Sequence, residues 1–168
     1  MSTAATAPPP MVAQILKTLE HENQATLKAL KALPADKLNY KPHERSRSAR
    51  ELAWHIAYSP YGCARVLATG KFENFAEPDA PATLAEIVAG RESYYQKARE
   101  ELSRLTPQQL EASLALPNGQ QIPCAAIIWS FVVFHEIHHR GQLSVYIRTA
   151  GGKVPSIYGP SADENPFA

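Results

Sequence analysis

Three histidines and a glutamate fall within five residues, His135-Glu136-Ile137-His138-His139. Side chains four apart on a helix sit one turn above each other on one face, so His135 and His139 can both turn a ring nitrogen toward one metal ion. The segment also spells H-E-x-x-H, in which a zinc peptidase uses the glutamate as general base. At about 100° per residue, with His135 at zero, His139 falls at about +40°, His138 at about −60° and Glu136 at about +100°. His135 and His139 are the natural ligand pair, and Glu136 stands off their face.

A single buried imidazole is most simply satisfied by a hydrogen bond to a core neighbour. Two at i and i+4 with a third on another helix favour a metal, because three facing imidazoles without an ion leave lone pairs poorly satisfied. His55, on the face shared by Leu52 and Ser59, is the expected third ligand. His21 falls on the solvent side of its helix and His43 in a polar linker, so neither is assigned to the site. His138 at i+3, Gln142 on the His135/His139 face, and Glu136 are candidates for supporting the ligands rather than being them. Tyr58, Tyr61 and Tyr146 are further hydroxyl donors within helical segments. Cys124 lies eleven residues before His135, roughly 16 Å along a helix axis, too far to join the same centre.

The peptidase reading lacks context. The extended motif H-E-x-x-H-x-x-G-x-x-H requires glycine and histidine where this chain has Gln142 and Val145, and the acidic residues downstream, Asp163 and Glu164, lie in a tail without helical pattern. It stands as the weakest alternative.

Four amphipathic stretches must position these residues. Val12, Ile15, Leu19, Asn23, Thr26, Leu27 and Leu30 recur at helical spacing until Pro34 ends helix one. Ser48-Ala49-Arg50-Glu51 is a capping box opening helix two, which carries His55 and extends to about Gly70, with Pro60 expected to kink it. Residues 71–81 form a long crossover without periodicity. Thr83-Leu84-Ala85-Glu86 is a second capping box, and Leu84, Ile87, Val88, Tyr94, Tyr95, Ala98, Leu102 and Leu105 stripe helix three. Asn118-Gly119 allows a short hairpin that Pro117 weakens. Helix four runs from Pro123 to the Gly151-Gly152 stop, apolar on several faces including Phe134, Leu143 and Val145, so it is expected to be buried on several sides. The expected fold is an all-α four-helix bundle with a long crossover between helices two and three, a single domain over residues 11–168. Bundles of this kind hold metals with inward side chains from different helices.

Bulk properties narrow the function. Seventeen basic against sixteen acidic residues leave a formal charge of +1, with no excess to recruit nucleic acid or an anionic membrane. The longest apolar run, residues 124–134, is broken by Ser130 and is too short to span a bilayer. Residues 1–10 lack the basic start and apolar core of a secretory signal and read as a disordered leader, so a cytoplasmic location is expected. Cys63 and Cys124 are far apart without C-x-x-C spacing, and read as packed thiols.

The stretch Leu33 to Pro42, then Ser48 to His55, then His135 to Gln142 with Arg140-Gly141-Gln142 following the histidines, and finally Val154 to Pro160, resemble the DinB-like (DinB/YfiT) four-helix-bundle proteins over nearly the whole chain after the leader. The resemblance implies a divalent metal, nickel or zinc, on His55, His135 and His139. It also implies kinship with transferases and isomerases that use low-molecular-weight thiols, and a homodimer.

Three neutral imidazoles leave an ion its full charge and an open position, at which water or a thiol is activated toward an electrophile. A metal-dependent transferase or hydrolase acting on a small-molecule substrate is therefore expected, with a non-catalytic metal-holding or stress-response bundle as the alternative.

Overall fold

The computed structural model describes residues 8–168. Residues 1–7 of the expected leader lie outside that range, and its last residue, Pro10, already begins the first helix.

Helix α1 spans Pro10–Ala32, α2 Ala49–Thr69 and α3 Leu84–Ser103. Both expected capping boxes form: the Ser48 and Thr83 hydroxyls accept from the amides of Glu51 and Glu86, whose carboxylates return to the cap amides. Gly70 closes α2 in the left-handed conformation, at φ 70°, where a side chain would be strained. Pro60 lies inside α2 and does not end it.

A third capping box, on Thr106 and Gln109, was not expected and opens the short helix α4, Pro107–Glu111. The hairpin forms, with β1 (Ser113–Ala115) antiparallel to β2 (Gln121–Pro123) and Leu114 opposite Ile122. Gly119, at φ 83°, supplies the turn conformation that an L side chain disfavours. Pro117 falls in the loop outside the paired residues, where its missing amide costs no ladder bond.

The fourth helix of the bundle is not uniform. It starts as α5 (Cys124–Ile127), widens into a π-helical segment over Ile128–Phe134, and returns to α-helix as α6 (His135–Thr149). The extra residue in a π turn rotates everything after it relative to a regular helix, and His135 is the first residue beyond that turn. Among the described residues no helix is long and apolar enough to cross a membrane.

The core is divided into two apolar clusters. One gathers Val12, Ile15, Leu19, Leu67, Leu102 and Ile128; the other Leu30, Leu52, Ile56, Ile87, Leu143 and Ile147. The residues between them on each helix are buried and polar: Glu22, Asn23 and Thr26 on α1, Ser59 on α2, Arg91 on α3, Glu136 and Arg140 on α6, with buried His55 at the edge of the second cluster. The bundle therefore has a polar midsection between two apolar ends. The expectation of burial on several faces of helix four holds for Leu143 but fails for Phe134 and Val145, which are 57% and 56% exposed. Helices α1 and α2 pack on its inner faces, which leaves Phe134 and Val145 outside.

Candidate metal centre

His135 and His139 extend from the first turns of α6 and His55 faces them from α2, so that one ring nitrogen of each lies within 4.8 Å of the others. His139 Nε2 is 3.0 Å and His55 Nε2 3.5 Å from His135 Nε2. Tetrahedral zinc with Zn–N bonds of about 2.0–2.1 Å would hold its ligand nitrogens about 3.3–3.4 Å apart. The two separations from His135 bracket that value, and the His55–His139 pair lies within 4.8 Å.

The outer nitrogens explain why the inner ones are free to ligate. Glu77 Oε2 lies 2.6 Å from His55 Nδ1, and a carboxylate only accepts, so Nδ1 carries the proton and the Nε2 lone pair points into the cluster. His139 Nδ1 likewise meets Gln142 Oε1 at 2.7 Å. The Gln142 amide nitrogen is 3.1 Å from His138 Nε2, giving a chain from the exposed His138 through Gln142 to His139. His135 Nδ1 is buried without a partner. Burial, reinforced by repulsion from His139 and His55, lowers the His135 pKa to about 4. Burial also lowers that of His139, against the pull of Gln142. At neutral pH His135 is therefore neutral and carries one ring proton, on Nε2 toward His139 or on Nδ1; in the Nδ1–H tautomer three Nε2 lone pairs converge, and a cation is the partner that fits them. The three imidazoles fit a divalent metal.

Glu136 is not brought to this centre. It is fully buried on the other side of α6, where Thr26 Oγ1 donates to its Oε1 at 2.5 Å and Arg91 Nη2 forms a 2.7 Å ion pair with the same oxygen. Arg140 extends the network, donating to Thr26 Oγ1 at 3.1 Å and to Glu22 Oε2 at 2.6 Å, with the Tyr158 hydroxyl closing onto both Arg140 and Glu22. Arg91 Nε also donates to Asn23 Oδ1 at 2.8 Å. The helical angle of Glu136 already separated it from the histidines, but its partners were not foreseen. Cys124 is buried in the apolar cluster, away from the histidines as expected. Tyr146 donates to the Arg47 carbonyl at 3.0 Å, while Tyr58 and Tyr61 pack edge to face.

Glu77 was missed by the sequence reading. It sits in the 71–81 crossover, which has no periodicity, and only the folded path brings it over His55. Trp54 Nε1 pins that path by donating to the Pro78 carbonyl at 2.7 Å. Trp54 and His55 are adjacent in α2, so one turn of that helix anchors both Pro78 and Glu77.

A profile of the DinB family matches residues 1–166. The chain belongs to the DinB family. Its relatives include the uncharacterized protein YrdA of Bacillus subtilis (strain 168), 32% identical over 152 residues that cover 89% of each chain. YjoA of the same organism is 32% identical over 135 residues, 79% of this chain and 86% of its own. In crystal structures, DinB-like YjoA superposes with a TM-score of 0.71 at 28% identity, over 86% of this chain and 97% of the other. A DinB-like protein of Bacillus cereus ATCC 10987 gives 0.72 at 25% identity, over 87% and 97%. The DinB-family membership and the all-α bundle expected from the sequence both stand.

Proposed function

We propose that this DinB-family protein binds a divalent ion, nickel or zinc, on His55, His135 and His139, and is a metal-dependent enzyme of the thiol transferase or hydrolase type. The observation that carries the reading is the convergence of Nε2 atoms 3.0 and 3.5 Å apart whose outer nitrogens, on His55 and His139, are held by Glu77 and Gln142. A divalent ion held by three neutral ligands supplies Lewis acidity and lowers the pKa of a water or thiol reaching its open position.

The chain's own part is to prepare that position. Glu77 fixes the His55 tautomer and ring plane and increases its basicity; Gln142 does the same for His139 without adding charge. Burial keeps His135 neutral through the physiological range. Glu136, engaged by Arg91 and Thr26, has no path to a scissile peptide, which counts against the peptidase alternative.

Metal-loaded and chelator-stripped protein compared in a screen of low-molecular-weight thiols with alkyl and acyl electrophiles tests the proposal. Turnover that disappears on stripping and returns with metal supports it. Bound metal with no thiol binding and no turnover would leave the ion structural or sensory. A homodimer is proposed as the assembly, supported by the uncovered Phe134 and Val145 on one helical strip, and sedimentation equilibrium tests it.

A further inference from the structure

Beside the histidines the bundle keeps an open cavity of about 320 Å³, with His55 and His135 at one end. That volume is at the lower end of small-molecule sites. Its walls are Cys63 and Val66 of α2, Phe72 and Phe75 of the crossover, and Ile127 and Phe131 of the fourth helix, with Pro117 of the hairpin loop alongside. Apart from the two imidazoles no wall residue is charged. Burial pushes the Cys63 thiol up to about 12, so it stays protonated and serves as an apolar wall rather than a nucleophile.

The cavity is assembled by segments that otherwise have little in common. Phe75 can lie directly on α2 only because residue 62 is glycine: a Cβ there would stand 2.6 Å from the Phe75 ring. The same crossover that delivers Glu77 to His55 thus also delivers two aromatic walls. The hairpin, which contributes nothing to the histidine cluster, contributes Pro117. Space of this kind forfeits dispersion contacts and offers water no polar partners over most of its surface. An apolar void retained at the mouth of a reactive centre is explained by a ligand that fills it.

We infer that the substrate of the three-histidine centre carries an apolar arm, aliphatic or aromatic, seated in this cavity with its reacting end at His55 and His135. This rests on the metal reading above and specifies its substrate class: acyl or alkyl compounds rather than sugars or nucleotides.

The probes are straight-chain hydroxamates with acyl chains of two, four and six carbons, titrated into cobalt-loaded protein and followed by the cobalt absorption spectrum. Affinity is expected to rise about fourfold per added methylene. Val66→Phe, which fills the cavity, is expected to flatten the series while cobalt uptake and acetohydroxamate affinity persist. Phe75→Ala, which enlarges it, keeps the inference testable should Val66→Phe fail to fold, and is expected to move the best chain to a longer one. In metal-free protein, hexanol but not ethanol is expected to shift the methyl resonances of Val66 and Ile127, two wall residues. Absent cobalt uptake with those shifts still present would sink the metal reading and support the apolar site. Cobalt uptake with equal affinity for all three hydroxamates, or no methyl shift on adding hexanol, would overturn the inference.

Discussion

Positions 135 and 139 of helix α6 face one polar cluster, and positions 136 and 140, one residue further round, face another. On the Glu136/Arg140 side two guanidiniums, Arg91 and Arg140, are matched by two carboxylates, Glu136 and Glu22, and cross-linked by Thr26, Asn23 and Tyr158. On the His135/His139 side three ring nitrogens converge, with one carboxylate, Glu77, behind them. The first cluster is charge-balanced within the chain, two against two, although Glu136 Oε2 keeps no partner, and it ties α1, α3 and α6 together. The second gathers three imidazoles around one point, where the proposed ion would sit. Burial alone does not distinguish a structural polar cluster from a functional one; what its polar atoms converge on does.

The largest effect that would test this contrast is on folding. Glu136→Leu strands the buried Arg91 guanidinium, and the expected loss is about 3–5 kcal/mol in urea unfolding. Metal uptake by the fraction that folds is expected to be retained, since Glu136 touches no histidine. A Glu136→Leu protein with wild-type stability would erase the structural side of the comparison.

Next in size is Glu77→Gln. It preserves shape but loses the charge behind His55, and a 10- to 100-fold weaker metal affinity is expected, measured by competition with a chromophoric chelator. The urea midpoint of the metal-free protein should stay close to wild type, because the Glu77 side chain lies at the surface end of the site. Unchanged affinity would remove Glu77 from the centre.

The smallest effects separate the clusters by pH. His135 is held down at about 4, below its ordinary 6.5, so on acidification the unfolded chain takes up the proton first. Metal-free protein is therefore expected to lose stability as pH falls through that window, and His135→Ala to abolish that part of the slope. Tyr158 is pushed the other way: the residue is 61% exposed, but partial burial of its hydroxyl end and the bond to Glu22 raise it from 10.0 to about 12. There the unfolded chain releases its proton first, so stability drains as pH rises from about 10 to about 12, and Tyr158→Phe should remove that component. Thermal melts across both ranges read each difference; identical slopes in variant and parent would contradict the assignment.

Much of the arrangement was legible from residue spacing. The i,i+4 pair and the apolar stripe of helix two determined which three histidines converge, and the capping boxes at Ser48 and Thr83 marked where two helices begin. The balanced cluster had a signal that went unused: Arg91 lies on the helix-three stripe, four residues after Ile87 and four before Tyr95, where an uncompensated charge would be costly. Asn23 and Thr26 sit on the helix-one stripe in the same way. The π turn over Ile128–Phe134 was invisible because an apolar run carries no mark of one extra residue per turn. Glu77, Phe72 and Phe75 were out of reach for a different reason: their roles depend on how an aperiodic crossover lies on α2, which spacing does not encode.

The central claim is that the open cluster, and not the H-E-x-x-H motif as such, is the metal site. Elemental analysis of the purified wild type and of His55→Ala, His135→Ala and Glu136→Leu tests it most directly. About one divalent ion per folded chain is expected in the wild type and in Glu136→Leu, and almost none in either histidine variant. A folded His55→Ala protein that still carries about one ion per chain would contradict it.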